Sequence, residues 1–247
     1  MKKLFKIISI GVAAFLLLSF IPFLPVTYKK AVNGEIEVYR IPLYAKVAGF
    51  VYRDYKYREL ALQITEGKNK DEDKVLAIYN WTIENIKKNK PNDWTVVDDH
   101  TLNIVVRGYG EEDQLADVFT TLCAYSGLKA FCEIYFANDP SSKKPIASIV
   151  LSFVNVNKRW LVFDVYNRKY FLNNKGEIAS VNDILENPDL VAHSTTDFKV
   201  NGVPYPDFFK ELGSIRFERY LRPDKQMVSR RILYELSRIK EKILLKN

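Results

Sequence analysis

The stretch over residues 107–130, RGYGEEDQLADVFTTLCAYSGLKA, constrains the fold of this chain more than any other. A Gly-Tyr-Gly sequence permits a tight turn, and three acidic residues follow it, where a helix N-terminus favours negative charge. Apolar residues then recur at the three- and four-residue spacing of one buried helical face; they are Leu115, Val118, Phe119 and Leu122. Ser126-Gly127 ends the run, and residues 128–136 are typical of a strand. The stretch therefore predicts a turn, a buried helix and a strand.

Two further stretches predict a helix before this unit and a β-hairpin after it. Residues 71–88 begin with three acids and end with two lysines, which suits the helix dipole. Residues 146–156 and 159–166 are rich in β-branched and aromatic residues, which indicates two strands. The predicted fold class is α+β, with a buried helix over residues 112–126 packed on an antiparallel sheet.

These segments resemble the core of the transglutaminase-like superfamily, which has a papain-like fold. The family pattern is Gly-x-Cys-x-Asp-x-Ala, an apolar helix, and Gly-Ile-Pro-Ala before a strand. Seven positions match it in register: Gly110, Ala116, Phe119, Leu122, Gly127, Leu128 and Ala130. The helix upstream is similar to the family's Ala-x-x-Ile-x-x-Trp-Val-x-x-Asn-Ile sequence at Ala77, Tyr79, Trp81, Asn85 and Ile86. In the hairpin, Trp160 and Asp164 fall on the family's tryptophan and aspartate.

The resemblance comes without the family's catalytic cysteine and histidine. Glu112 occupies the position of the nucleophilic cysteine, and Ser148 occupies the approximate position of the histidine. The resemblance places Asp164 where the family has the aspartate that orients this histidine. A carboxylate does not replace a thiolate in acyl transfer, and serine does not exchange a proton near neutral pH as imidazole does. The resemblance therefore implies a degenerate member, and no residue is assigned the family's catalytic role.

Glu112 has two interpretations from its surroundings in the sequence. An acidic residue is favoured in the first turn of a helix, and the flanking acids Glu111 and Asp113 support that structural interpretation. Alternatively, Glu112 and Asp164 form a carboxyl pair that works as acid and base in a cleft. The residues that we expect to line such a cleft are His100, Arg107, Asp113, Gln114 and Trp160.

No metal, cofactor or nucleic acid is predicted. The Asp98-Asp99-His100 sequence lacks the ligand spacing of a metal site. The net charge of +7 comes from the two ends of the chain. Residues 1–30 contribute +5 and residues 216–247 contribute +6, which leaves −4 for residues 31–215. Because no basic groove interleaved with aromatic residues is visible in the sequence, nucleic-acid binding is not expected.

Residues 7–26 form a run of twenty residues without a charge, preceded by three lysines. Twenty residues at ~1.5 Å each just span a bilayer core of ~30 Å. We expect an uncleaved signal anchor with the lysines in the cytoplasm and the chain after Thr27 outside. A cleaved signal peptide is the alternative, although no small-x-small site follows the run. In an oxidising compartment Cys123 and Cys132 form either a short-range disulfide or two buried thiols, and buried thiols are favoured.

The chain divides into four predicted segments. They are a membrane anchor over residues 1–30, lead-in strands and a helix over 31–70, the transglutaminase-like core over 71–185, and a covering loop with a basic C-terminal helix over 186–247. Within the lead-in, residues 36–51 are expected to be extended and residues 52–65 helical. The C-terminal helix, over residues 224–245, either packs on the domain or lies on a membrane surface, and packing is the default.

Two functions from different classes remain. The first is a membrane-anchored, outward-facing domain without catalytic activity that binds or assembles a protein or polysaccharide at the cell envelope. The alternative is a hydrolase or transferase with a redeployed cleft, whose titrating groups are Glu112, Asp113, Asp164 and His100. Convergent carboxylates in an open pocket favour the enzyme, whereas carboxylates closed off by partners and aromatic rings favour the binding protein.

Overall fold

The structure is a computed structural model, and it describes residues 19–33, 35–88, 97–98, 100–138, 145–210, 212–214 and 221–244. The chain forms two compact units, residues 1–53 with 95–99 and residues 54–94 with 100–247. Within the described ranges, no helix is both long enough and apolar enough to cross a membrane. The predicted anchor lies for the most part outside these ranges, because its residues 7–18 are not described.

The first unit contains a three-stranded sheet in the order β2-β1-β3. Strands β1 (Pro25–Val32) and β2 (Glu35–Pro42) pair over their full lengths, and β3 (Val97–Asp98) pairs with the end of β1. A short 3-10 helix (Ile21–Phe23) precedes β1. The α-helix predicted for the anchor therefore does not continue to residue 26, because Pro25 already begins a strand and proline has no N–H for a helical bond.

Helix α1 (Leu43–Ile64) follows β2 directly. Its first nine residues were expected to be extended, so that expectation is wrong for residues 43–51. The physical reason is an ambiguous pattern, because Tyr44, Val47 and Val51 have helical spacing as well as a composition that favours strands. In the second unit, Tyr57 and Ala61 of this helix are fully buried.

Three more helices lie in the second unit, α2 (Asp71–Asn85), α3 (Thr101–Arg107) and α4 (Glu112–Tyr125). Helix α2 ends three residues before the predicted end, because Ile86 adopts an extended backbone. Every side chain of α4 from Gln114 to Tyr125 is buried. A reciprocal capping box between Glu111 and Gln114 satisfies donors at the start of α4. Gly127, with φ of 94°, allows the chain to leave the helix towards the sheet.

The sheet of the second unit is antiparallel in the order β4-β5-β6-β7. Its strands are β4 (Lys129–Asn138), β5 (Pro145–Val156), β6 (Arg159–Asp164) and β7 (Lys169–Tyr170). Asn157 and Lys158 both have positive φ in the tight turn between β5 and β6, which matches the twist of a hairpin. The predicted α+β class, with helices and antiparallel strands, is confirmed.

Alternate residues of the strands face two apolar clusters, as the period of a β-strand requires. On the side of α4, Phe163 contacts Tyr79 and Phe119, with ring centroids 5.6 and 5.1 Å apart. The neighbouring Val162 belongs to the cluster on the opposite face, where Phe131 stacks on Phe153 at 4.9 Å. The sheet is thus covered on both faces.

Short segments after β7 cover the face opposite α4. They are α5 (Val181–Glu186), α6 (Asp189–Ser194), the hairpin of β8 (Lys199–Val200) and β9 (Val203–Pro204), and a 3-10 helix (Tyr205–Phe209). Tyr205, Phe208 and Phe209 are buried in that cluster. Two more 3-10 helices follow, Leu212–Ser214 and Pro223–Gln226, and the second of them leads into the last described helix, α7 (Val228–Leu244).

Phe119 tests whether α4 is the centre of the fold. Phe119→Ala removes a ring that is fully buried against Tyr79 and Phe163, so we expect the free energy of unfolding to fall by about 3–5 kcal/mol. Urea denaturation followed by tryptophan fluorescence measures it. The control is Phe136→Ala on β4, where the ring is 45% exposed and the expected loss is about 1 kcal/mol or less. Equal losses in both variants would contradict the described core.

Candidate functional site

Glu112 is the first residue of α4, and its half-buried carboxylate reaches the sheet. The backbone N–H of Val150 in β5 donates to Glu112 Oε1 at 2.8 Å. Val150 lies beyond residues 152–156, the part of β5 that pairs with β6. The carboxylate therefore takes the place of a strand acceptor and connects the start of α4 to β5.

The pKa of Glu112 is raised to about 7. Burial is the main cause, because it disfavours the charged form, and the negative charges of Asp164 and Asp113 add to the rise. The hydrogen bond from Val150 and the positive charge of Lys88 oppose it. A carboxyl with this pKa holds a proton in a large fraction of molecules near neutral pH.

Asp164 is the last residue of β6 and is 0% exposed. Its Oδ1 accepts from the Asn167 backbone N–H at 2.8 Å, and its Oδ2 accepts from Asn167 Nδ2 at 2.9 Å and from the Tyr205 hydroxyl at 2.6 Å. The three donors meet the rule that a buried carboxylate must be hydrogen-bonded. Both oxygens of Asp164 therefore have partners within its own domain.

Burial also governs the titration of the groups around Asp164. It raises the pKa of Asp164 itself, and the hydrogen bonds from Tyr205 and Asn167 oppose that rise. It raises the pKa of the Tyr205 hydroxyl, with Asp164 adding to the effect, so the tyrosine stays a donor. The negative charge of Asp164 contributes to the raised pKa of Glu112.

Lys88 supplies positive charge close to both carboxyls. Burial and the neighbouring Arg168 lower the pKa of the Lys88 ammonium, whereas Asp164 and Glu112 raise it. Its Nζ lies 4.7 Å from the centre of the Tyr166 ring, which is within the range of a cation–π contact. The partly buried cluster thus contains two acidic residues, Glu112 and Asp164, and one basic residue, Lys88.

Ser148, the residue predicted at the histidine position, pairs with Phe136 across β4 and β5 and is half-buried. The strand residue that meets Glu112 is Val150, two residues further along and on the same face of β5. The hydrogen bond to Glu112 therefore comes from the backbone of Val150, two residues from Ser148 along β5. Neither serine nor valine offers an imidazole at this edge.

The residues expected in a cleft have structural contacts. His100 caps α3, where its Nδ1 accepts from the Asn103 N–H at 3.3 Å. Arg107 donates to the Tyr109 carbonyl at 2.8 Å and to the Gln114 side chain. Gln114 is 5% exposed and closes the capping box of α4. These contacts hold the turn between α3 and α4 in place, and they do not bring the imidazole to Glu112.

Asp113 and Trp160 complete the expected set. Asp113 is exposed in the first turn of α4 and acts on Glu112 through its charge. Trp160 packs edge-on against Phe131 at 5.3 Å and lines a cavity of about 220 Å³ together with Arg159 and Ser180. Glu112 and Asp164 are not among the residues that line this cavity.

The two cysteines of the chain are free in the structure. Cys123 is fully buried, and burial raises the pKa of its thiol. Burial, with the charge of Asp117, raises the pKa of Cys132 to about 12. Both thiols are therefore protonated at neutral pH, and a protonated thiol is a poor nucleophile. The structure thus has two free thiols, of which Cys123 is buried and Cys132 is partly buried.

A metal site is not found among the residues that the structure describes, where no group of three or more His, Cys, Asp or Glu side chains converges. Asp99 of the Asp98-Asp99-His100 sequence lies outside those residues, as does the side chain of Asp98. The described acidic pair, Glu112 and Asp164, is bonded to donors of the protein itself.

Sequence reasoning missed Val150, Asn167, Tyr205 and Lys88. Val150 acts through its backbone N–H, which no side-chain pattern reveals. Tyr205 lies 41 residues from Asp164, so only the three-dimensional fold brings them together. Asn167, three residues after Asp164, is the exception, because an Asp-x-x-Asn sequence after a strand is typical of a side-chain turn.

Comparison with known proteins gives one family and three solved structures. Residues 58–165 match the family model of the transglutaminase-like superfamily. No curated protein matches the chain. The chain is similar to a "putative protease" from Parabacteroides distasonis ATCC 8503, with 14% identity over 56% of this chain and 35% of that one and a TM-score of 0.36.

Two other structures are similar over the same share of the chain. A "putative cysteine protease" from Cytophaga hutchinsonii has 17% identity over 55% of this chain and 45% of that one, with a TM-score of 0.38. A TGase has 16% identity over 56% of this chain and 43% of that one, with a TM-score of 0.25. The chain spans less than half the length of each of these three proteins.

The raised pKa of Glu112 predicts a specific pH dependence of stability. Its folded-state pKa of about 7 lies above the unfolded value of ~4.3. The folded state therefore holds this proton more tightly, and the free energy of unfolding falls as pH rises through that window. Glu112→Gln retains an acceptor for Val150 and removes the titration. In the parent protein we expect the free energy of unfolding to fall by about 1–2 kcal/mol over this window, after allowance for solvent screening. Glu112→Gln should abolish this fall.

Urea denaturation at pH 5 and at pH 8, which lie about 0.7 and about 1 unit above the two pKa values of the window, measures this effect. The control is Glu133→Gln on β4, an exposed side chain whose replacement leaves the pH dependence unchanged. A Glu112→Gln protein that loses as much stability between these pH values as the parent would show that the Glu112 carboxyl is not buried as described.

Proposed function

We propose that the domain whose residues 58–165 match the family model of the transglutaminase-like superfamily is non-catalytic and binds a partner at the cell envelope. The family chemistry requires a thiolate, a base and an aspartate that orients the base. The chain has Glu112 at the first position, Val150 and Ser148 at the strand that faces it, and Asp164 at the third. Two of the three functional groups are therefore chemically unsuited to acyl transfer.

The burial of Asp164 and its hydrogen bonds within the domain are the observation that carries this proposal. The carboxylate is 0% exposed and accepts from Tyr205 and from two groups of Asn167. An aspartate that orients a base needs an acceptor site that the base can reach. Asp164 is shut off from solvent and accepts three hydrogen bonds within the domain, of the roughly four that a carboxylate can accept, so we assign it to supporting the fold.

We propose that residues 7–26 anchor the domain in a membrane and that the domain faces outward. The twenty uncharged residues and the lysines before them support this topology. The partner on the outer side is then a protein or a polysaccharide of the envelope. The acidic balance of residues 31–215, −4 in total, argues against a nucleic acid in that role.

A hydrolase or transferase with a redeployed cleft is the second candidate function. The observation that favours it is the pKa of Glu112, about 7, which is the value of an efficient general acid or base near neutral pH. In that function Glu112 exchanges the proton, and Asp164 and Asp113 keep its pKa high. His100 contributes less, because its Nδ1 is engaged as the cap of α3.

An activity assay of the full chain distinguishes the two functions. We expect no thiol-dependent transamidase or protease activity on glutamine-containing peptides. Substituting Cys123 or Cys132 by alanine should change the stability of the protein but should abolish no acyl-transfer activity. Glu112→Cys alone should give no efficient turnover, because the site lacks a base. Binding of envelope peptides or glycans, measured by calorimetry, should persist in Glu112→Gln. Turnover that falls by about a hundredfold or more in Glu112→Gln would instead establish the acid–base enzyme.

The proposed topology has its own test. Protease added to intact cells that express the full chain should remove the domain beyond Thr27, and detergent should not be needed for the cleavage. A cytoplasmic marker protein serves as the control for cell integrity. A full-length chain that stays protected until the cells are lysed would contradict the outward orientation.

A further inference from the structure

The start of helix α7 (Val228–Leu244) is attached to the second unit. The Val228 N–H donates to Asp54 Oδ1 at 3.2 Å, and Arg230 forms an ion pair with Asp224. Among the described residues, the main packing partner of α7 is the 3-10 helix Pro223–Gln226, which directly precedes it.

The apolar residues in the middle of α7 are exposed. Ile232, Leu233 and Leu236 have 55%, 56% and 57% of their surface open to solvent. They lie at helical spacing on one side, so they form a continuous apolar stripe. The default expectation that this stripe packs on the domain is wrong for these three residues. An exposed stripe of this kind requires a partner.

Basic residues border the stripe. From Val228 to Leu244 the helix has five Lys or Arg and two Glu, a net charge of +3. Arg231 and Arg238 are each partly exposed and form ion pairs with Glu235, and Lys240 is exposed. Long basic side chains can keep their charged ends in water while their stems cover an apolar surface.

We propose that α7 lies on the surface of a membrane rich in anionic lipid, with Ile232, Leu233 and Leu236 inserted among the acyl chains. The charge decides between the occupants, because an anionic surface attracts a helix of charge +3. A second copy of α7 would bring a second charge of +3 to the same stripe and is disfavoured by repulsion. The partner is therefore a phospholipid surface.

This inference is independent of the anchor proposed over residues 7–26. An anchor inserts into vesicles of any charge, whereas α7 binds only to vesicles that contain anionic lipid. Flotation with vesicles of phosphatidylcholine alone reports the anchor, and the position of α7 is read separately. Failure of one proposal is therefore distinguishable from failure of the other.

A fluorophore on Leu236→Cys in the full chain reads the position of α7. Cys123 is fully buried and Cys132 has a pKa raised to about 12, so the introduced thiol is labelled selectively. The protein is reconstituted with vesicles of phosphatidylcholine, with or without phosphatidylglycerol, whose acyl chains bear a nitroxide quencher. A label on Lys175→Cys, in an exposed turn, controls for non-specific quenching.

We expect the label at position 236 to be quenched in vesicles with phosphatidylglycerol and to recover at high salt. Ile232→Glu should lower the membrane-bound fraction of α7 on the order of tenfold, because it removes an apolar side chain that the membrane would bury. Leu62→Glu, at an exposed leucine of α1, should leave the quenching unchanged.

Two results would overturn the proposal. The first is a label that stays unquenched with phosphatidylglycerol or is quenched equally without it. The second is a label shielded in the absence of lipid to a degree that rises with protein concentration, which would identify a second copy as the occupant.

Discussion

The hydrogen bond from the Val150 N–H to the Glu112 carboxylate, 2.8 Å long, is the contact on which the candidate site depends. It is possible because α4 is buried from Gln114 to Tyr125, and this packing holds the first residue of the helix beside β5. The capping box between Glu111 and Gln114 fixes the start of the helix at this point. Glu112 is therefore a structural acceptor for the sheet.

This contact holds Glu112 within a group of charged residues that also includes Asp164 and Lys88. Glu112 and Asp164 oppose each other's ionisation, and Lys88 compensates part of the negative charge. The network is stable because Asp164 has all its hydrogen-bond needs met by Asn167 and Tyr205. A site that satisfies itself in this way has little left for a reacting group, which is the basis for proposing recognition in place of catalysis.

The sequence predicts the core of the second unit better than its details. Gln114–Tyr125 is a buried helix and Asp164 ends a strand, as periodicity and the family pattern indicate, because both are local signals. The start of α1 could not be predicted, since residues 43–51 suit a strand and a helix equally. The partners of Glu112 and Asp164 could not be predicted either. Val150 acts through its backbone, and Tyr205 meets Asp164 only after the face of the sheet opposite α4 is covered.

Glu112 is a half-buried carboxyl that is bonded to β5 and has a pKa raised by burial. The most direct test is an NMR titration of the carboxyl carbons in protein labelled with 13C at glutamate and aspartate, with Glu112→Gln to assign the signal. The account predicts that Glu112 titrates at about 7 and that its titration shifts in Asp164→Asn, since the two groups are coupled. A Glu112 carboxyl that titrates near the ordinary value of ~4.3, with no change in Asp164→Asn, would contradict this description of the site.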